Sequence, residues 1–109
     1  MWICALILKT AIEHEVLHSD RLVLLDFYAD WCGPCKMLSP VLHELAEETA
    51  DTLKVGKVNM DEQMKLAMRF QVSSIPMLVA FKDGKAVAKS VGYHPKAEIV
   101  ALAERSSWL

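Results

Sequence analysis

Val23-Leu24-Leu25-Asp26-Phe27-Tyr28-Ala29-Asp30-Trp31-Cys32-Gly33-Pro34-Cys35-Lys36 is the stretch that decides the fold. With Leu22, its first half is a nearly continuous apolar run, the pattern of a strand buried on both faces of a sheet. Its second half ends in two cysteines with Pro34 between them. Proline suits the first helical position, where a missing N–H costs nothing. A strand over 22–28 and a helix over 34–49 therefore place Cys32 and Cys35 where strand passes into helix.

That placement carries chemistry. Unpaired N–H groups and the helix dipole favour an anion at a helix N-terminus. A thiolate at Cys32 is such an anion, so its pKa is expected below the free value of about 8.5. Cys35 lies three residues on, on the same helical face. Once Cys32 attacks a disulfide, Cys35 is placed to attack the mixed disulfide and release the product. Gly33 has no side chain to block a substrate, and Pro34 stiffens the link between the sulfurs.

Outward from this stretch, the pattern continues as alternating strands and helices. The apolar run at residues 2–8 reads as a first strand. Thr10-Ala11-Ile12-Glu13 has the form of a capping box, opening a short amphipathic helix over 10–18. Pro40 falls inside the helix over 34–49 and is expected to kink it. A strand follows over 53–59, then a helix over 62–70 with Asp61 as its cap. Strands over 77–81 and 85–90 are joined through Asp83-Gly84, a strong hairpin signal. Pro95 opens a last helix with Ile99 and Leu102 facing inward. The order βαβαβαββα predicts an α/β fold: a central mixed five-stranded sheet flanked by four helices, with parallel pairing and an antiparallel edge.

The 109 residues, 53% apolar and 24% charged, suffice for one domain with a real core, expected over 1–109. The net charge is −2 and basic residues are scattered, which speaks against nucleic acid or an anionic membrane as partner. The N-terminal apolar run has no basic lead and is too short to span a bilayer, so neither a signal peptide nor a membrane anchor is expected. Three cysteines with one close pair do not make a secreted disulfide framework. A cytoplasmic setting fits better, with Cys4 a buried apolar filler.

Metal is the competing use of Cys32 and Cys35. A structural zinc wants four Cys or His ligands. Beyond the pair only Cys4 and four histidines remain, and they form no second close pair of cysteine spacing. His14 and His18 stand at i,i+4, more often a solvated face than a ligand set. No metal is expected.

Asp26 interrupts a buried apolar run, where a carboxylate is costly unless partnered and its pKa should rise. Alternation puts it on one side with Leu24 and Tyr28. Lys57 shares a side with Leu53 and Val55 in its own strand. Two misplaced opposite charges suggest a buried pair. The plainer alternatives are a carboxylate satisfied by backbone donors and a strand-edge lysine reaching water. The Ile75-Pro76 bond can be cis or trans from the residues alone, with trans the default, and Pro76 can simply start a strand.

The opening stretch, with Lys57-Val58-Asn59-Met60-Asp61, Ser74-Ile75-Pro76, Phe81-Lys82-Asp83-Gly84 and Val91-Gly92, resembles the thioredoxin family over nearly the whole chain from Leu6 onward. A Cys-x-x-Cys beside a βαβ pattern is this family's redox motif, and Cys-Gly-Pro-Cys is its thioredoxin form. The resemblance implies a thioredoxin fold and reduction of protein disulfides, with Cys32 as nucleophile and Cys35 resolving. It implies that Asp26 relays a proton to or from Cys35 through water, tuned by Lys57. It implies a cis Ile75–Pro76 bond beside the sulfurs, the Ile75 backbone pairing with an extended substrate segment. The docking surface it implies is flat and apolar around an exposed sulfur, at Trp31, Gly33, Pro34, Met60, Ile75, Pro76, Val91, Gly92 and Tyr93. No cofactor is expected, since no phosphate-cradling glycine loop is present. The implied partners are disulfide-containing proteins and an NADPH-dependent flavoprotein thioredoxin reductase, and a monomer is expected.

Three positions depart from the family pattern. Met77 stands where threonine is usual, which removes a hydroxyl near the site and adds a flexible apolar chain. Tyr28 replaces an indole, and Tyr93 is larger than the residue often found there. Two other readings use the same residues: a docking module that binds through the apolar patch, and an oxidase or isomerase of an oxidising compartment. Intact Cys32, Cys35, Asp26 and Pro76 argue against the first. The Gly33-Pro34 dipeptide argues against the second.

Overall fold

The computed structural model describes residues 5–6, 21–49 and 53–107. Its elements are β1 (Ala5–Leu6), β2 (Leu22–Tyr28), α1 (Gly33–Glu48), β3 (Leu53–Asn59), α2 (Met64–Arg69), β4 (Met77–Lys82), β5 (Lys85–Val91) and α3 (Lys96–Ser107). The five strands form one sheet in the order β1-β3-β2-β4-β5. Strands β1, β3 and β2 run parallel, while β4 is antiparallel to β2 and β5 to β4. The expected mixed five-stranded sheet is present. The first helix, expected over 10–18, and Cys4 lie outside the described residues.

Strand β2 is central, which is why its apolar run has almost no polar alternation: Val23, Leu24, Leu25 and Phe27 are all fully buried. Leu24 faces the side where Leu38, Leu42 and Leu45 of α1 and Ile99 of α3 pack over Leu53, Val55, Leu78 and Ala80. Val23, Leu25 and Phe27 face the other side, with Val58, Val79, Phe81 and Leu66 and Ala67 of α2. Phe70 closes that layer, its ring centre 6.2 Å from Phe27 and 5.1 Å, edge-on, from Phe81.

Most element ends fall within a residue of expectation, but α2 does not. It begins at Met64, and its N-cap, Gln63, makes no side-chain cap bond. Asp61 does not cap it. Asn59 takes over the turn: its side-chain oxygen accepts from Asp61 N at 2.9 Å, and its carbonyl from Gln63 N at 2.9 Å. Helix α1 continues through Pro40 to Glu48. Asp83 (φ 52°) and Gly84 (φ 79°) both sit in the left-handed region that a two-residue hairpin turn requires.

Candidate active site

Strand β2 ends at Tyr28 and the chain turns through Ala29, Asp30 and Trp31 into α1. Cys32 is the N-cap of that helix, with extended backbone (φ −91°, ψ 115°). Its N–H donates to Ala29 O at 3.2 Å, and its Sγ accepts from the Cys35 N–H at 3.2 Å. A sulfur thus does what a serine or aspartate oxygen does at an ordinary N-cap. Such an atom gains from negative charge, because the donor and the helix dipole both point at it.

Cys32 and Cys35 are joined by a disulfide with their Cα atoms 5.3 Å apart. Ala29, Tyr28 and Ile75 pack against the pair. Cys32 is only 5% exposed and Cys35 3%, so the expectation of an exposed sulfur does not hold for this oxidised state. Gly33 and Pro34, between the two cysteines, are exposed, and a Cβ added at Gly33 would meet nothing within 4 Å.

Asp26 sits on the α1 side of β2, fully buried, and neither carboxyl oxygen has a hydrogen-bond partner. Burial pushes its pKa up to about 7, against a smaller downward pull from Lys57. Backbone donors therefore do not satisfy it. Lys57 is its in-register neighbour on β3, as two misplaced charges suggested, but the two make no ion pair. The Lys57 ammonium instead donates to Ser39 Oγ at 2.9 Å and lies 4.4 Å from the centre of the Tyr28 ring. Cys35, Ser39, Tyr28 and Lys57 line one cavity of about 310 Å³ under the start of α1.

The Ile75–Pro76 bond is cis. Ile75 touches the cysteine cluster, and the Pro76 carbonyl accepts from Gly92 N at 2.8 Å. That bond ties the loop after β5 to the segment before β4, so Val91, Gly92 and Tyr93 stand beside Pro76. Val91 and Tyr93 are large side chains left exposed. Trp31 is 72% exposed, and its indole N–H donates to Asp61 Oδ2 at 3.0 Å. Trp31, Met60, Ile75 and Met64 line a second hollow of about 220 Å³ with Asp61 and Ser73. Met60 thus joins Trp31 and Ile75 rather than the sulfurs.

Sequence reasoning missed Ser39, Asp61 and Met64. Ser39 carried a signal, since it stands at i+4 from Cys35 and so on the same face of α1. Asp61 and Met64 carried none. Among the described residues no group of three or more His, Cys, Asp or Glu side chains is disposed to hold a metal.

The thioredoxin family model matches residues 4–105. Among curated proteins, the chain is 47% identical over 87 residues to a thioredoxin of Bacillus subtilis (strain 168), covering 80% of this chain and 84% of that one. It is 45% identical over 87 residues to a thioredoxin of Alicyclobacillus acidocaldarius subsp. acidocaldarius, covering 80% and 83%. Against a thioredoxin of Mycobacterium tuberculosis (strain ATCC 25618 / H37Rv) the identity is 50% over 86 residues, covering 79% and 74%.

Proposed function

The chain belongs to the thioredoxin family and is a thiol–disulfide oxidoreductase that reduces protein disulfides; from that premise we propose how its own residues carry the reaction. The observation that carries the proposal is the N-cap geometry, in which Cys32 Sγ accepts from the Cys35 N–H.

In the reduced protein, the Cys32 thiolate attacks one sulfur of a substrate disulfide. A Cys32–substrate bond forms, the substrate's own S–S bond breaks, and its second sulfur leaves as a thiolate. Asp26, as carboxylate, then takes the Cys35 proton. The Cys35 sulfur attacks Cys32, the bond to the substrate breaks, and the second substrate thiolate departs. The pair loses two electrons and becomes the disulfide seen here, and the substrate gains them. Burial supports Asp26 in this role, because a carboxyl that titrates near neutral pH can both take and return a proton.

Trp31, Gly33, Pro34, Met60, Ile75, Pro76, Val91, Gly92 and Tyr93 form the docking surface, with the Ile75 backbone pairing to an extended substrate segment. Ile75 against the cysteine pair, the Gly92–Pro76 bond beside it and the hollow shared by Trp31, Met60 and Ile75 support this. The protein works as a single domain without a cofactor or metal, because the electrons reside in the two sulfurs. A flavoprotein thioredoxin reductase drawing on NADPH restores the dithiol. The working compartment is the cytoplasm, which the single close cysteine pair supports; no described helix is long and apolar enough to cross a membrane.

The test is turnover of insulin disulfides by dithiothreitol with the protein at catalytic amounts. The intact protein should accelerate it, and Cys35→Ser should not. No acceleration by a folded sample with both thiols free would overturn the general-reductase reading.

A further inference from the structure

Lys57 ends at Ser39, not at Asp26. The two charged residues are in-register neighbours on adjacent strands, and the Asp26 carboxyl is shut from solvent without a partner. A flexible ammonium beside such a group is drawn to it, more strongly as the local dielectric falls. Two contacts hold it elsewhere. The Ser39 hydroxyl, one turn beyond Cys35 on α1, accepts its hydrogen bond, and the face of Tyr28 lies beneath it.

We propose that Ser39 is a positioning residue whose hydroxyl tethers the Lys57 ammonium away from Asp26 and thereby sets the pH at which Asp26 can accept the Cys35 proton. This rests on the reading of Asp26 as that acceptor.

The surroundings leave Lys57 as the lever. Leu78 is the cross-strand neighbour of Asp26 on β4, and α3 brings Ile99 to this face; both are apolar. Tyr28 on β2 and Cys35 on α1 are titratable groups on this side, and Asp30, before α1, and Lys36 line the same cavity. Lys57 supplies the charge that acts on Asp26, opposing a burial that holds its pKa near neutrality. Without the tether the ammonium closes on the carboxylate and favours the charged form, which moves the titration down.

Ser39→Ala removes the hydroxyl and introduces a better helix former, so α1 is retained. Ser39→Thr keeps the hydroxyl. Carbon NMR of the Asp26 carboxyl in the oxidised protein reports its titration directly. Single-turnover reduction of a disulfide peptide by the reduced protein reports the acidic limb of the rate profile. In Ser39→Ala the carboxyl midpoint is expected to fall by about one pH unit, the lower end of what an opposite charge at close range produces. The rate limb follows it down, Ser39→Thr keeps the parent values, and Ser39→Ala made in a Lys57→Met background shows no further shift. An unchanged carboxyl titration in Ser39→Ala, or an equal shift without Lys57, overturns the tether whatever Asp26 does. A carboxyl that shifts while the rate profile stays in place overturns the assignment of Asp26 as proton acceptor, and with it the catalytic part of the proposal.

Discussion

Asp26 and Lys57 face each other across the parallel β2–β3 ladder, yet the carboxyl is left without a hydrogen bond and the ammonium is spent on Ser39. Unfolding frees Asp26 to titrate near 3.8, whereas the fold holds it near 7. The folded state therefore binds the proton more tightly. The stability this contributes is complete below about 3.8 and is lost as pH rises through about 7. Asp26→Asn, which mimics the protonated group, should remove that loss. In urea unfolding between about pH 4 and 8, the variant should gain on its parent as pH rises, by up to about 4 kcal/mol at about 1.4 kcal/mol per pKa unit. A constant gap between the two across that range would show that Asp26 is not held protonated by burial.

The bond from Cys35 N to Cys32 Sγ makes the two thiols unequal after reduction. Iodoacetamide at neutral pH should alkylate Cys32 at least about tenfold faster than Cys35, as one unit of thiolate preference requires. Peptide mapping after brief labelling reads the ratio. Equal labelling would mean that the helix terminus does not activate Cys32.

Trp31 is held over the second hollow by Asp61 and is otherwise in solvent. Trp31→Ala should cost under about 1 kcal/mol in denaturant unfolding, as an exposed side chain with one neutral-to-charged bond does. It should lower kcat/KM severalfold for insulin, mainly through KM, and much less for a small-molecule disulfide. An equal loss on both substrates would place Trp31 in the chemistry rather than in docking.

Gly92 adopts φ +88°, with open space where a Cβ would stand. Gly92→Ala therefore meets no neighbour, and its cost is the left-handed backbone itself, about 1 to 2 kcal/mol. Because Gly92 N holds the Pro76 carbonyl, activity on protein disulfides should fall together with stability. Unchanged unfolding would show that the loop relaxes to a conformation alanine accepts.

Much of this was legible beforehand. The nearly continuous apolar run of β2 marked a strand buried on both faces, since only a strand so covered can omit regular polar alternation. Asp83-Gly84 marked the hairpin, because few residues accept positive φ at both positions. Asp26 stood out as a charge where none should be. Asp61 was misread as a helix cap because the cap pattern is local, while its partner Trp31 is thirty residues away.

The sequence by itself determined where the two cysteines sit, at the passage from a buried strand to a helix, because periodicity and proline placement act over a few neighbouring residues. The isomer of Ile75–Pro76 was left open by those residues taken alone. Tertiary structure decided which polar atoms meet: Lys57 with Ser39, Trp31 with Asp61, and Asp26 with nothing. Those outcomes depend on side-chain reach across elements that are distant in the chain, and on how far burial removes water from the competition.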